Sequence, residues 1–329
     1  MEPDTTYINT KRPPESPWAR MPFFFGALAL VLVVGLVLFF TLRAPNEMPE
    51  NTETVATTTP LRDTYSTITL EAKAAYVLDA ATGKMLFALH EEDQLPLASL
   101  TKVMTALVAE EHLPSAAPIT ITEHALASDG ETGFKVGESW RLSDLLSLML
   151  VASSNDGAAA VGDAVGNVLS RGTHPMSMVD AMNAKARELA LSQTYFLNET
   201  GLDINSEQYP GAYGSAKDIA HLFAYALREV PEILEQTREM SLSAMPLSGG
   251  NILEVENTND LAGEIPFLLA GKTGFTDNAG GNLVVAFDAG LNHPIVAVVL
   301  GSSRDGRFID MRALVDASFE AVALNSSTE

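Results

Sequence analysis

The chain has 329 residues, a net charge of −22 at pH 7 and no cysteine. Its length and hydrophobic content are sufficient for one large domain or two smaller ones, which excludes a disordered or fibrous protein. The missing cysteines exclude disulfides, thiol catalysis and cysteine-ligated zinc. The six histidines are scattered without an H-E-x-x-H pair. We therefore expect neither a metal site nor a cofactor.

The segment from Pro22 to Leu42 is uncharged and dense in Phe, Leu and Val. It is long enough to cross a bilayer as a helix. A cleaved signal peptide would have a shorter apolar region and a small-residue cleavage site, which is missing before Arg43. Basic residues before the span, including Arg12 and Arg20, predict that residues 1–21 are a cytoplasmic tail. The sequence thus predicts a single-pass cell-membrane protein whose chain after Arg43 is extracytoplasmic.

Residues 43–67 are rich in Pro, Thr and Glu and predict a flexible linker. Residues 1–43 carry +1, so the remainder carries −23. An acidic exterior argues against binding of nucleic acid or anionic lipid. The folded domain is expected at residues 68–325, followed by a short tail at residues 326–329.

The elements of the domain begin with a β-hairpin, Ala75 to Leu78 and Met85 to Leu89, around a turn at Gly83. A helix from Ser99 to about Glu110 and an extended piece at Ile119 to Ile121 follow. Further helices are predicted at Leu142 to Val151 with Ser143 as its N-cap, Ala158 to Val168, Asp180 to Leu191 and Ala216 to Leu227.

From Pro266 the hydrophobic period changes to that of strands. Antiparallel strands are predicted at Phe267 to Ala270, Leu283 to Phe287 and Ile295 to Leu300, before a closing helix that contains Phe308 and Val322. Strands at both ends with helices between them predict an α/β fold: an antiparallel sheet flanked by helices and interrupted by an all-helical insertion. The site is expected in the cleft between the two parts.

The spacing of Ser99 and Lys102 at the start of an apolar run places both side chains on one face of a helix. A hydroxyl nucleophile and an amine base within reach of each other are what serine acylation without histidine requires. Taken alone, the spacing also arises by chance, and Ser99 could be an ordinary N-cap.

Two further motifs follow in the chain. Ser153-x-Asn155 ends an apolar helix, and Lys272-Thr273-Gly274 lies on the first of the late strands. Alone, they fit a helix-helix loop and a polar edge strand. Together with Ser99-x-x-Lys102, in this order, they match the signature of penicillin-binding proteins and serine β-lactamases.

The surrounding residues narrow the resemblance. Six segments resemble the low-molecular-mass D-alanyl-D-alanine carboxypeptidases, the S11 serine peptidases, over roughly residues 70–323. The segments are Asp79-x-x-Thr82-Gly83-Lys84, Ala98 to Leu107, Ser154-Asn155-Asp156, Asn198-x-x-Gly201-Leu202, Ser215-Ala216-x-Asp218-Ile219-Ala220 and Gly271 to Gly280. The resemblance implies the transpeptidase fold of penicillin-binding proteins and a D-alanyl-D-alanine carboxypeptidase acting on peptidoglycan stem pentapeptides, with β-lactams as inhibitors.

The resemblance also implies a role for each motif residue. Ser99 would be the acylated nucleophile, Lys102 its base and Ser153 the proton relay to the leaving amine. The substrate would be held by Asn155, Lys272 and Thr273, with Gly274 leaving room for it and the N–H groups of Ser99 and Phe275 forming the oxyanion hole. The pKa of Lys102 would have to fall by roughly 3 units, about 4 kcal/mol, for the amine to be half neutral at pH 7. Burial and the nearby positive charge of Lys272 could together supply this lowering.

Two departures and three alternatives accompany this resemblance. Many members have a C-terminal amphipathic anchor, whereas this chain ends soon after its closing helix, and many have a smaller residue than Ser154 inside the second motif. The alternatives are a D,D-endopeptidase that cuts cross-links, a β-lactamase and a non-catalytic β-lactam sensor. A β-lactamase would need a deacylating glutamate, for which Glu188 and Glu199 are the nearest candidates.

Overall fold

The computed structural model describes residues 64–326, apart from residues 206 and 291. The predicted cytoplasmic tail, the span from Pro22 to Leu42, the linker up to residue 63 and the end of the C-terminal tail lie outside the described residues. Among the helices that are described, none is both long and apolar enough to cross a membrane.

The secondary structure follows the chain in this order. The strands are β1 (Ala74–Asp79), β2 (Met85–Leu89), β3 (Leu95–Pro96), β4 (Pro118–Thr120), β5 (Ser139–Arg141), β6 (Tyr195–Phe196), β7 (Ala212–Gly214), β8 (Ser241–Ala244), β9 (Leu253–Glu256), β10 (Leu268–Thr276), β11 (Gly280–Asp288) and β12 (Pro294–Ser302). The α-helices are α1 (Thr101–His112), α2 (Leu142–Val151), α3 (Asn155–Leu169), α4 (Met178–Glu188), α5 (Ala216–Glu229) and α6 (Gly306–Ser326).

Five of the strands form the central antiparallel sheet, in the order β10-β11-β12-β1-β2. The first and last strands of the domain meet where Ala74 pairs with Leu300 and Asp79 with Ile295. Every residue of β1 is buried, because Tyr76 faces the helical layer while Val77 packs against the other side. Alternate residues point to opposite faces of a strand, so a sheet covered on both sides needs such a continuous apolar run.

Helices cover both faces of this sheet. Helix α6 closes one face with Met311, Leu314 and Val315. The helices between residues 99 and 230 cover the other face, where Phe223 of α5 and Met104 of α1 are fully buried. This arrangement confirms the predicted antiparallel sheet flanked by helices, with the helical part inserted between its two groups of strands.

Several boundaries differ from the sequence predictions. The Ser99 helix begins as a 3-10 turn, Ala98–Leu100, and becomes α-helical only at Thr101. Ser143 is not the N-cap of α2, because the helix starts at Leu142 after an extended Arg141 that makes no side-chain cap. Tyr65, which composition assigned to the linker, is buried, and its ring stacks on Phe87.

The sequence did not predict the hairpin of β8 and β9, which pairs Ser241 with Glu256 and Ala244 with Leu253. Its apolar residues are few, so the two-residue period is weak. The hairpin lies against α2 through Val255, which belongs to the main core. It thereby forms one wall beside the Ser153 motif.

Candidate active site

Ser99 lies on the strained 3-10 turn that enters α1. Ala98 has φ of +48°, a left-handed conformation that costs on the order of 1 kcal/mol or more in a residue with a Cβ. The turn is held by the Thr101 hydroxyl, which donates to the carbonyl of Ala98 at 2.7 Å, and by the Asn282 amide, which donates to Pro96 and Leu97. These contacts leave Ser99 partly exposed between buried neighbours.

The Lys102 side chain is fully buried and its amine touches three oxygens. Nζ lies 2.7 Å from the Oγ of Ser99, 2.7 Å from the Oδ1 of Asn155 and 2.7 Å from the carbonyl oxygen of Thr200. The first contact places the predicted nucleophile and base together. The third comes from a chain segment that the sequence motifs did not connect with this site.

These three contacts fix where a lone pair on Lys102 would point. The Nδ2 group of Asn155 donates a hydrogen bond to the carbonyl oxygen of Asp129. The other end of the amide, Oδ1, therefore faces Lys102, and an amide oxygen can only accept. The Thr200 carbonyl can only accept as well. A neutral Lys102 has two N–H groups for these two acceptors, which leaves its lone pair for the hydroxyl hydrogen of Ser99.

Burial lowers the pKa of Lys102 to about 7, while the negative charges of Glu199 and Asp156 act in the opposite direction. The sequence argument assigned part of this lowering to Lys272, but burial is the cause here. Near neutral pH, a substantial fraction of Lys102 is therefore an uncharged amine.

Ser153 and Asn155 occupy the turn between α2 and α3. Ser153 has φ of +58°, and its hydroxyl accepts a hydrogen bond from Nζ of Lys272 at 2.8 Å. Ser154 is buried, caps α3 by accepting from the N–H of Gly157, and donates to Asp156. Its side chain therefore serves the helix, although Ser154 is also among the residues that line the pocket beside Ser153.

Lys272 and Thr273 lie on β10, opposite Val284 and Leu283 of β11. Burial lowers the pKa of Lys272 well below its usual value, and the charge of Lys102 adds to this. The Thr273 hydroxyl lies 2.6 Å from that of Thr258, which follows the β8–β9 hairpin. In the free protein Lys272 is thus less basic than a solvent-exposed lysine.

Gly274 brings β10 against the Ser99 turn. A Cβ at this position would lie 2.8 Å from the carbonyl oxygen of Leu97 and 3.2 Å from the backbone nitrogen of Ser99. The room at Gly274 is thus needed for the protein's own backbone, whereas the sequence argument assigned it to a substrate strand. The Arg307 guanidinium donates to the Gly274 carbonyl at 2.9 Å and supports the same strand.

The backbone N–H groups of Ser99 and Phe275 border this contact, and the hydrogen bonding of Gly271 shows which edge of β10 the Phe275 group faces. The N–H of Gly271 donates to the Thr237 hydroxyl, away from β11. Backbone groups in an antiparallel strand alternate between its two edges. The N–H of Phe275 therefore faces the same edge, beside the Ser99 nitrogen at the start of its turn.

The loop from Asn198 to Gly201 supports Ser99 and Lys102 from behind. Asn198 Oδ1 accepts from the N–H of Gly201 at 2.7 Å. A Cβ on Gly201 would lie only 2.0 Å from the Ala98 carbonyl oxygen, and Gly201 has φ of +78°. This explains why the loop requires glycine, since any other side chain would displace the turn that carries Ser99.

The two glutamates considered for β-lactam hydrolysis occupy different positions. Glu188 pairs with Lys185 at the end of α4 at 2.8 Å. Glu199 packs its side chain toward Gly162 of α3 and lines a groove with His124 and Asp163. Lys102, rather than either glutamate, is the group that contacts Ser99.

Comparison with known proteins agrees with this fold. Penicillin-binding protein D2 from Listeria monocytogenes, in its ampicillin-bound form, superposes with a TM-score of 0.64 at 28% identity, over 77% of this chain and 99% of that chain. The fold is therefore that of the penicillin-binding proteins. The family model described as D-alanyl-D-alanine carboxypeptidase, peptidase S11, matches residues 58–304. The chain belongs to this family.

Two relatives show the range of named activities. D-alanyl-D-alanine carboxypeptidase DacF from Bacillus subtilis is 31% identical over 239 residues, 71% of this chain and 58% of DacF. A D-alanyl-D-alanine endopeptidase from Pseudomonas aeruginosa is 30% identical over 223 residues, 66% of this chain and 67% of that protein. The chain therefore spans less than two thirds of the length of DacF.

Proposed function

We propose that the protein is a serine-type D-alanyl-D-alanine carboxypeptidase that removes the terminal D-alanine from peptidoglycan stem pentapeptides. The observation that supports this most is the Lys102 amine, buried and 2.7 Å from Ser99, with its other two contacts made to acceptors. The family match supports the substrate class, a peptide ending in D-alanyl-D-alanine.

In the acylation step, Lys102 takes the hydroxyl proton of Ser99 as Oγ attacks the carbonyl between the two D-alanines. The new Oγ–C bond forms, and the negative charge on the former carbonyl oxygen is stabilised by the N–H groups of Ser99 and Phe275. As the C–N bond breaks, Ser153 gives its hydroxyl hydrogen to the leaving amine and takes up the proton held by Lys102, which leaves Lys102 neutral. Because Lys272 donates to Ser153 Oγ, the Ser153 hydroxyl hydrogen is free to point at that amine.

Substrate binding uses the open edge of β10. Lys272 and Thr273 bind the terminal carboxylate, whose charge favours the ammonium form of Lys272 again. Asn155 binds the peptide backbone. In the second step, water attacks the acyl-enzyme with Lys102 neutral once more, and the shortened peptide leaves. A β-lactam presents an amide carbonyl and a carboxylate as the peptide does, and its amide is strained by the ring. It would therefore acylate Ser99 in the same way.

Cleavage of cross-links is the second candidate. A pocket of about 290 Å³ adjoins Ser153 and Asn155 and extends along Glu254 of β9. It has room for a leaving group larger than D-alanine, and a relative carries the endopeptidase name. Removal of one residue and cleavage of a cross-link use the same chemistry and differ only in the leaving group.

Mass spectrometry of the products distinguishes these activities. The full chain, incubated with a stem pentapeptide and separately with a cross-linked muropeptide dimer, should convert the pentapeptide to a tetrapeptide with release of D-alanine. The Ser99→Ala variant should do neither reaction and serves as the matched control. If wild type leaves the pentapeptide intact, the proposal fails; if it cuts only the dimer, the endopeptidase is the correct assignment.

We also propose that the protein is anchored in the cell membrane by Pro22 to Leu42, with the catalytic domain outside. The uncharged segment and the basic residues before it support this. Protease added to intact spheroplasts should then release a fragment that still binds penicillin. Full protection of the domain, or a mature N-terminus after Arg43, would contradict the proposed topology.

A further inference from the structure

Glu199 is tied to the helix that carries Lys102. Its carbonyl oxygen accepts from the Thr105 hydroxyl at 2.7 Å, and the carbonyl of the next residue, Thr200, accepts from Lys102 Nζ at 2.7 Å. The backbone of this loop therefore touches α1 at two successive residues. A displacement of the Glu199 backbone would therefore also move the Thr200 carbonyl oxygen that contacts the Lys102 amine.

The Glu199 side chain has a defined place between α1 and α3. A Cβ at Gly162 would approach its Cγ to 2.8 Å, so the glycine provides the space that this side chain occupies. The same side chain lines a groove of about 680 Å³ together with His124 and Asp163. The residues lining this groove do not include Ser99, Ser153 or Lys272, so the groove is separate from the substrate cleft.

The charges of Glu199 and Lys102 are coupled. Burial raises the pKa of Glu199, and the charge of Asp163 adds to this, whereas its own backbone N–H, His124 and Lys102 favour the carboxylate. For Lys102, Glu199 is the strongest influence that opposes the lowering by burial. The roles proposed above give Glu199 no part in substrate binding or proton transfer.

We propose that Glu199 is a positioning residue. From its place between α1 and α3, outside the substrate cleft, its carboxylate sets the proton affinity of Lys102 and thereby the pH at which acylation of Ser99 begins. This inference rests on the proposed function, because it assumes that Lys102 is the base. A negative charge behind an amine stabilises its protonated form. The Glu199 carboxylate thus keeps Lys102 a stronger base than its burial alone would allow.

Other charges face this pair from the surrounding elements. Around Lys102 these are Asp156 from α3 and Lys272 from β10. Around Glu199 they are Asp163 from α3, His124 just before the 3-10 turn that begins at Ala125, and Asp180, which lines the same groove from α4. Each of these groups remains unchanged when Glu199 is replaced, so a single substitution isolates its charge.

The test is the pH profile of the acylation rate constant with a fluorescent penicillin, measured on the full chain from pH 4.5 to 9.5. Wild type should rise to a plateau with a midpoint near pH 7, the pKa of Lys102. Glu199→Gln, which keeps the shape and removes the charge, should move the midpoint down by about one pH unit. Its plateau should fall several-fold at most, because a less basic amine is a weaker general base.

Controls separate this effect from a structural one. Glu199→Asp, which restores a carboxylate, should return the midpoint at least part of the way, and Glu188→Gln, on the paired glutamate of α4, should match wild type. An unshifted midpoint in folded Glu199→Gln overturns the inference. If that variant does not fold, Gly162→Ala, which displaces the Glu199 side chain, must shift the midpoint, and an unchanged one overturns the inference. A wild type that is not acylated at any pH overturns the proposed function instead.

Discussion

Replacing Lys102 by arginine is expected to reduce acylation of Ser99 at least about a thousand-fold, for every substrate. The guanidinium stays protonated at any working pH, so it has no lone pair for the Ser99 hydroxyl hydrogen. It is also larger and planar, and cannot reproduce the three contacts of the Lys102 amine with Ser99, Asn155 and Thr200. The loss should include β-lactams and amidated peptides, since it does not depend on a carboxylate.

A stopped-flow acylation assay, run with a penicillin and with a C-terminally amidated peptide, measures this effect. Lys185→Arg is a matched control, because Lys185 is also buried but pairs with Glu111 of α1 and Glu188 of α4 and makes no contact with Ser99. That variant should keep most of the activity. Substantial acylation by a folded Lys102→Arg protein would show that Lys102 is not the base.

The second large effect is expected for Lys272→Ala. Substrates with a free terminal carboxylate should lose roughly 2 to 5 kcal/mol of transition-state stabilisation when this desolvated cation is removed, which is about thirty-fold to several thousand-fold in rate. Amidated substrates should lose less. They should still lose something, since Lys272 also donates to Ser153 and orients the proposed relay hydroxyl.

The comparison of carboxylate and amide substrates is made on kcat/KM for paired peptides that differ only at the C-terminus. Lys272→Arg keeps a cation that can pair with a carboxylate, so its activity should be reduced and not abolished. Equal losses on both substrates in Lys272→Ala would contradict a role in carboxylate binding and leave only the contact with Ser153.

The sequence was a good guide to residues whose side chains carry the chemistry. Ser99 and Lys102 could be paired because three positions along a helical path bring two side chains to one face, and the structure places them 2.7 Å apart. The sheet and its helices were also predictable. Long apolar runs such as β11 and β12 leave few alternatives to buried strands.

The sequence was a poor guide to groups that act through the backbone. The Thr200 carbonyl that holds Lys102 and the Asp129 carbonyl that orients Asn155 have no side-chain signature, because every residue has a carbonyl. Only the glycine of Asn198-x-x-Gly201 pointed to this loop. A glycine is needed there because the backbone passes close to the Ala98 carbonyl, and this approach is visible only in the folded structure.

The same limit applies to electrostatics and to short elements. Burial of Lys102 by distant segments sets its pKa, and no local pattern shows which acidic residues lie behind it. Glu199 was considered as a deacylating glutamate, but its side chain lies against Gly162. The β8–β9 hairpin was missed since two short strands with few apolar residues show no clear period.

Mapping the acyl-enzyme tests the central claim, that Ser99 is the nucleophile, most directly. The full chain is labelled with a fluorescent penicillin, digested, and the modified peptide is sequenced by mass spectrometry. We predict one penicilloyl adduct per chain, on the oxygen of Ser99, which disappears in Ser99→Ala. Ser154→Ala, a change to a buried serine that caps α3 and donates to Asp156, should retain the label. An adduct on another residue, or undiminished labelling of Ser99→Ala, would contradict the account.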